Sequence, residues 1–198
     1  MTEERPKLYR GTSARERQAA RREQLVRAAI AVYGATGYRN ATIKAVCEAA
    51  GLTERYFYES FASSEALLIA SFETVNAAFG QAIDAAIREE RDPEARVRAM
   101  LRAYYAALQA APTSARVFIV EIGGISPAVD AAARQALRRF ADRLAAAWGM
   151  EAAASEIVSV GVIGAIIRIA FAWIASDYGW PLQDVIDAAF RICAVMTV

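Results

Sequence analysis

Ten side chains whose chemistry suits contact with a polyanion lie within a short stretch: Arg39, Thr42, Lys44, Thr53, Glu54, Arg55, Tyr56, Tyr58, Ser60 and Ser64. Hydroxyls and cations hydrogen-bond phosphate oxygens, while arginine, lysine, serine and glutamate also hydrogen-bond base edges in the major groove. Catalytic chemistry is poorly provided for. The chain has no histidine, which removes the commonest general base, the Ser/His/Asp triad and most zinc sites. Neither paired carboxylates nor a phosphate-binding loop occur at a recognisable spacing, so no enzyme, metal or cofactor is expected. Cys47 and Cys193 lack ligand spacing and read as small buried hydrophobes of a reduced, cytoplasmic protein.

To present these groups together, the backbone must place two short helices around a tight turn. Thr42–Ala50 reads as the first helix, Gly51-Leu52 as the turn and Thr53–Phe61 as the second helix. Ile43 and Val46 face inward, Cys47 is small enough for a close helix crossing, and Gly51 supplies the positive φ of the turn. Thr53 can cap the second helix, with Phe57 and Phe61 fixing it to a core. Its other face then shows Glu54, Arg55, Tyr56, Tyr58 and Ser60 to the outside. Two aromatics beside an arginine suit a major groove better than a solvated surface. The competing reading is an ordinary αα-corner of a helical enzyme, with Tyr56 and Tyr58 in its core.

Charge agrees with a nucleic-acid-facing end. The net charge of +1 conceals 11 basic against 7 acidic residues over 1–60, and 12 against 15 over 61–198. Residues 1–12 form a basic arm containing Arg5, Lys7 and Arg10. The polar stretch Met1–Arg22 has no apolar core, so no signal peptide is expected.

The remainder predicts helix after helix and no strand. Ser13 and Glu16 form a capping box opening the first helix. Ser63 can cap a fourth helix bearing Leu68, Phe72, Val75, Phe79, Ile83 and Ile87 at steps of three or four. Asp92-Pro93-Glu94 and Ser126-Pro127 open later helices, the cap preceding the proline in each. A short helix follows Pro112. Segment 152–177 is apolar on nearly every side, and its stretch Ile157–Ala175 approaches membrane-spanning length. A helix around 181–197 completes nine. The expected class is all-α in two domains: a basic arm (1–12), a helix-turn-helix DNA-binding domain (13–62) and a ligand-binding and dimerisation domain (63–198).

Residues 22–72 resemble the DNA-binding domain of the TetR family of transcriptional regulators. The resemblance rests on Leu25–Tyr33, Gly37-Tyr38, Thr42-Ile43, Ala49–Thr53, Phe57-Tyr58, Phe61 and Ser64–Leu68. It implies phosphate contacts from Thr42, Thr53 and Tyr58, and base-facing positions at Lys44, Glu54, Arg55, Tyr56 and Ser60. Arg55-Tyr56 replaces the family's usual Gly-Thr, implying an unusual operator preference. Ser64 stands where a lysine usually reaches a phosphate, a loss that Arg39 or the arm can offset.

The resemblance also implies a homodimer through the last two helices, near 152–177 and 181–197, placing two recognition helices on a palindromic double-stranded DNA operator. The apolar eighth helix independently asks for a partner on each side. An effector pocket is implied among the fourth to eighth helices. Its candidate walls are Phe72, Phe79, Met100, Tyr104, Tyr105, Phe118, Glu121, Ile122, Arg168, Phe171 and Trp173, each of which can equally be plain core. Glu121 and Arg168 sit in apolar runs and are expected to be buried, pairing with each other, with tyrosine hydroxyls or with a ligand. Such walls suit a small hydrophobic or amphipathic effector. The expected activity is that of a cytoplasmic repressor released from DNA by its effector, without membrane association. The alternatives are an activator of the same fold and a membrane-associated helical protein built on Ile157–Ala175.

Overall fold

The computed structural model describes residues 13–117, 119, 122–150 and 156–197. The arm with Arg5, Lys7 and Arg10 lies outside the described residues, as do Phe118 and Glu121. Nine α-helices and no strand occur among the described residues: α1 (Ala14–Thr36), α2 (Ile43–Ala50), α3 (Glu54–Ser60), α4 (Ser64–Arg88), α5 (Pro93–Ala110), α6 (Pro112–Arg116), α7 (Pro127–Trp148), α8 (Glu156–Ala175) and α9 (Leu182–Cys193).

Local capping chemistry sets most helix starts. The Ser13 side chain accepts from the Glu16 amide while the Glu16 carboxylate accepts from the Ser13 amide. Thr42, Ser63, Asp92 and Ser126 each accept from the amide three residues on, satisfying a donor that the helix leaves open. Gly51 ends α2 at φ +64°, the left-handed conformation that a side chain would strain.

The helices enclose two clusters of buried apolar side chains. The first gathers Leu25, Ala29 and Tyr33 of α1, Val46 and Cys47 of α2, Phe57 of α3, and Leu67, Leu68, Phe72 and Val75 of α4; Val129 of α7 closes it. The second gathers Val97, Met100, Leu101, Tyr104, Tyr105 and Leu108 of α5 with Leu144 of α7, Ile163, Ile166 and Trp173 of α8, and Val185, Ile186 and Phe190 of α9. Helix α4 serves both, and its Phe79 packs against each cluster. A second tie joins α1 to α6: Gly34 leaves room for Thr113, whose side chain and carbonyl would collide with a methyl group there.

Helix α8 faces two ways. Val162, Ile163, Ile166, Ala170 and Trp173 point into the second cluster. On the other side Ile157 and Val160 are largely exposed, at 84% and 68%, and a Cβ added at Gly161 or Gly164 would meet nothing within 4 Å. Arg168 lies on this exposed side, its guanidinium 4.8 Å from the Phe171 ring centroid. The expected burial of Arg168 is therefore corrected. A helix apolar all round carries no polar stripe to mark its outer face, so periodicity alone cannot orient it.

Candidate nucleic-acid interface

The candidate interface is built on α2, the Gly51 turn and α3. Phe57 is fully buried and packs edge-on against Tyr58 at 5.1 Å and tilted against Phe61 at 6.0 Å. This anchor fixes the rotation of α3. Glu54, Arg55 and Tyr58 project outward, and Tyr58 is 61% exposed. Thr53 occupies the N-cap position in extended conformation, but its side chain makes no capping bond, contrary to the capping role expected of it.

The other expected contact residues are placed as follows. Arg39 is exposed in a short 3₁₀ turn between α1 and α2. Thr42 is exposed while its hydroxyl caps α2, and Lys44 is exposed 3.9 Å from Glu48. Ser64 begins α4, its hydroxyl 3.4 Å from the Tyr38 hydroxyl. Two residues differ from a freely presented face. The Ser60 hydroxyl donates to the Tyr56 carbonyl at 2.9 Å, and the half-buried Tyr56 ring lies under the Arg21 guanidinium at 4.5 Å.

Helix α1 contributes more to this surface than spacing suggested. Gln18 donates to the Glu59 carbonyl at 3.1 Å and Arg22 to the Ser60 carbonyl at 3.3 Å. Both satisfy carbonyls left open at the α3 C-terminus, and the Arg22 cation complements its negative dipole end. Arg22 also covers the Phe61 ring at 4.1 Å. The signal was present in the helical register: Gln18, Arg21 and Arg22 precede Leu25 by seven, four and three positions, on the face that Leu25 buries.

Thiol chemistry is suppressed here. Burial pushes the Cys47 thiol up from its ordinary range, with the Glu54 charge adding to the shift.

The expected effector residues do not share one setting. Phe72 and Ile122 belong to the first cluster, while Met100, Tyr104, Tyr105 and Trp173 belong to the second. Arg168 and Phe171 meet on the outer side of α8. Tyr105 donates to the Ile166 carbonyl at 3.1 Å and Trp173 to the Trp180 carbonyl at 2.9 Å. Tyr104, enclosed by Phe79, Tyr105 and Phe140, has a buried hydroxyl with no hydrogen-bond partner among the described residues. Burial raises its pKa far above the ordinary tyrosine value. A separate apolar groove of about 500 Å³ runs outside, between α8 and α9, lined by Ala165, Arg168, Ala172, Trp180, Asp184 and Ala188 among others.

Residues 25–71 match the family model described as bacterial regulatory proteins, tetR family. No curated protein sequence matches the chain. Among solved structures, the fatty acid degradation regulator FadR from Bacillus halodurans superposes with a TM-score of 0.75 at 18% identity, over 87% of this chain and 94% of that one. FadR from Bacillus subtilis, in complex with stearoyl-CoA, gives 0.75 at 16% identity over 86% and 96%. A TetR-like regulator from Rhodococcus sp. RHA1 gives 0.70 at 17% over 88% and 94%. At these identities the likeness carries the fold.

Proposed function

We propose, from the match of residues 25–71 to the model of the tetR family of bacterial regulatory proteins, that the chain is a cytoplasmic repressor of that kind, released from a palindromic operator by an amphipathic effector. The observation that carries the DNA reading is the rotation of α3. Phe57 buries one side, so Arg55 and Tyr58 must face outward. On that face Arg55 is suited to guanine edges, while Thr42, Thr53 and Tyr58 are suited to phosphates.

Two copies pair through α8 and α9 in this reading. Ile157, Val160 and the two exposed glycines form an apolar strip that a second copy can cover at close backbone distance. The same strip accounts for the mean hydropathy of 2.3 in Ile157–Ala175 without a bilayer.

The effector reading draws on the second cluster. Tyr104 offers an unpartnered hydroxyl within aromatic surroundings, which suits a ligand with an apolar body and one acceptor. The B. subtilis neighbour's stearoyl-CoA makes long acyl thioesters the first candidates. Release follows if the effector favours a body conformation in which α4 carries the two α3 helices out of register with successive grooves.

Selection of bound duplexes from random DNA by the purified protein tests the reading. Enrichment of an inverted repeat is expected, with stearoyl-CoA weakening binding to it. No enrichment overturns the DNA reading, and unchanged affinity at saturating ligand overturns the choice of effector.

A further inference from the structure

We propose that Arg21, a residue of α1 outside the helix-turn-helix, is a specificity-determining positioning residue that acts through Glu59 and Tyr56 on what Arg55 reads. The proposal rests on the DNA-binding function above.

The Glu59 carboxylate is shared. One oxygen lies 3.8 Å from Arg21 Nη2 and the other 3.0 Å from Arg55 Nε. The two arginines are differently free: the Arg55 side chain is 83% exposed and the Arg21 side chain 25%. Arg21 also stacks on the Tyr56 ring, and its Nε is buried without a hydrogen-bond partner among the described residues. The ion pair and the stack therefore hold this guanidinium where it leaves one donor unsatisfied.

The electrostatics explain why such an arrangement matters at this surface. Glu59 is an anion on a helix that approaches a polyanion, and left alone it would repel phosphates. Compensation by Arg55 alone would tie Arg55 to Glu59. Arg21 neutralises Glu59 from the protein side, so Arg55 can exchange the carboxylate for DNA. An exposed ion pair is weak and costs little to break. A lone phosphate offers Arg55 little more than Glu59 does, whereas the paired acceptors of a guanine edge offer two aligned hydrogen bonds. Glu59 thus holds Arg55 back from non-specific phosphates, and Arg21 carries the Glu59 charge alone once Arg55 has left it for a base edge. The stack on Tyr56 also fixes the orientation in which the ring meets the groove. Because Gln18 and Arg22 hold the α3 C-terminus independently, loss of Arg21 leaves the helix in place.

The test uses the full-length protein. Duplexes selected by the wild type and scrambled duplexes are titrated at one salt concentration with wild type, Arg21→Ala, Arg21→Lys, Glu59→Gln and the Arg21→Ala/Glu59→Gln double variant. Arg21→Ala is expected to weaken binding to the selected duplex by about tenfold, and by less to the scrambled one. Arg21→Lys keeps the charge but not the planar stack, and should recover part of that loss. Glu59→Gln should tighten scrambled binding several-fold, roughly in line with removing one repelled charge. In the double variant the loss should be largely rescued, since no anion remains to be neutralised. Selections repeated with Arg21→Ala and Glu59→Gln should relax at the position Arg55 contacts, while melting temperatures stay near wild type. The proposal falls if the ratio of selected to scrambled affinity is unchanged in both single variants, or if the double variant is as weak as Arg21→Ala. If the wild type itself selects no sequence, the DNA reading falls and the proposal with it. An unchanged ratio around a wild type that does select overturns the proposal alone.

Discussion

The two ends of α4 are anchored in different kinds of surroundings. At its N-terminal end, Leu67, Leu68 and Phe72 complete a core in which short helices bury one side and turn polar groups outward. At its C-terminal end, Ile83 enters a core whose helix α8 is apolar on both sides and whose Tyr104 hydroxyl is unpartnered. The N-terminal unit offers its chemistry on its surface, and among the described residues its one unmet buried polar atom, Arg21 Nε, lies beside that surface. The body leaves apolar surface uncovered and a polar group unmet inside. The proposed dimer and the proposed effector site each draw on one of these unmet features.

The largest expected effect breaks the body's side of this comparison. Val160→Glu places a charge on the exposed apolar strip of α8, where it costs little in one chain and much between two. Sedimentation should show monomers, and operator affinity should drop by roughly a hundredfold or more as the half-sites lose their linkage. A variant that remains dimeric would remove α8 from the interface.

A matched pair of truncations sharpens the contrast next. Trp173→Ala removes a fully buried ring that contacts Tyr105 and Tyr178, and should cost about 3–5 kcal/mol in urea unfolding. Tyr58→Ala removes an exposed ring, should change stability by roughly 0.5 kcal/mol at most, and should weaken operator binding about tenfold. Equal losses of stability in the two variants would refute the division.

Buried and paired titratable groups also give the body a pH-dependent stability. Burial pushes the Cys193 thiol from 9.0 up to about 12 and raises Tyr105 beyond its ordinary value. The folded chain keeps these protons where the unfolded chain has released them. This stabilisation is therefore intact below pH 9 and falls as pH rises toward 12. Chemical denaturation at stepped pH should show it, and both native cysteines should react slowly with thiol reagents at pH 8. On the acid side the Arg143 guanidinium, donating to both Asp84 oxygens across Gly80, lowers the Asp84 pKa. Its contribution is present above the ordinary aspartate range and disappears as pH falls below it.

The smallest effect concerns one charge. Ser64→Lys should tighten operator binding a few-fold and steepen the salt dependence by roughly one counterion, measured as the slope of affinity against salt. An unchanged slope would mean that this position does not approach a phosphate.

Legibility in the sequence followed the same division. The capping residues Ser13, Ser63, Asp92 and Ser126 act through bonds spanning three positions, so their types and spacing announced the helix starts, whereas Thr42, read as the first residue of its helix, caps it instead. Thr53 had the same appearance and makes no such bond, because a suitable residue type permits a cap without compelling it. Within the candidate interface, the outward positions of Glu54, Arg55 and Tyr58 were readable once Phe57 and Phe61 were recognised as anchors, whereas Tyr56 and Ser60, expected on the same face, are half-buried. The register of Gln18, Arg21 and Arg22 on the face of Leu25 was readable but their partners were not, since these lie about forty positions away and the crossing of α1 over α3 decides which groups meet.

From the sequence alone came the all-α class, the order of the helices, the turn at Gly51 and the family of the N-terminal unit, because each rests on short-range periodicity or a contiguous motif. Tertiary structure alone decided that Arg168 faces outward, that Tyr104 is buried without a partner, and that Glu59 is divided between two arginines. These depend on which face of each helix meets its neighbour, and side chains distant in the chain settle that when they pack.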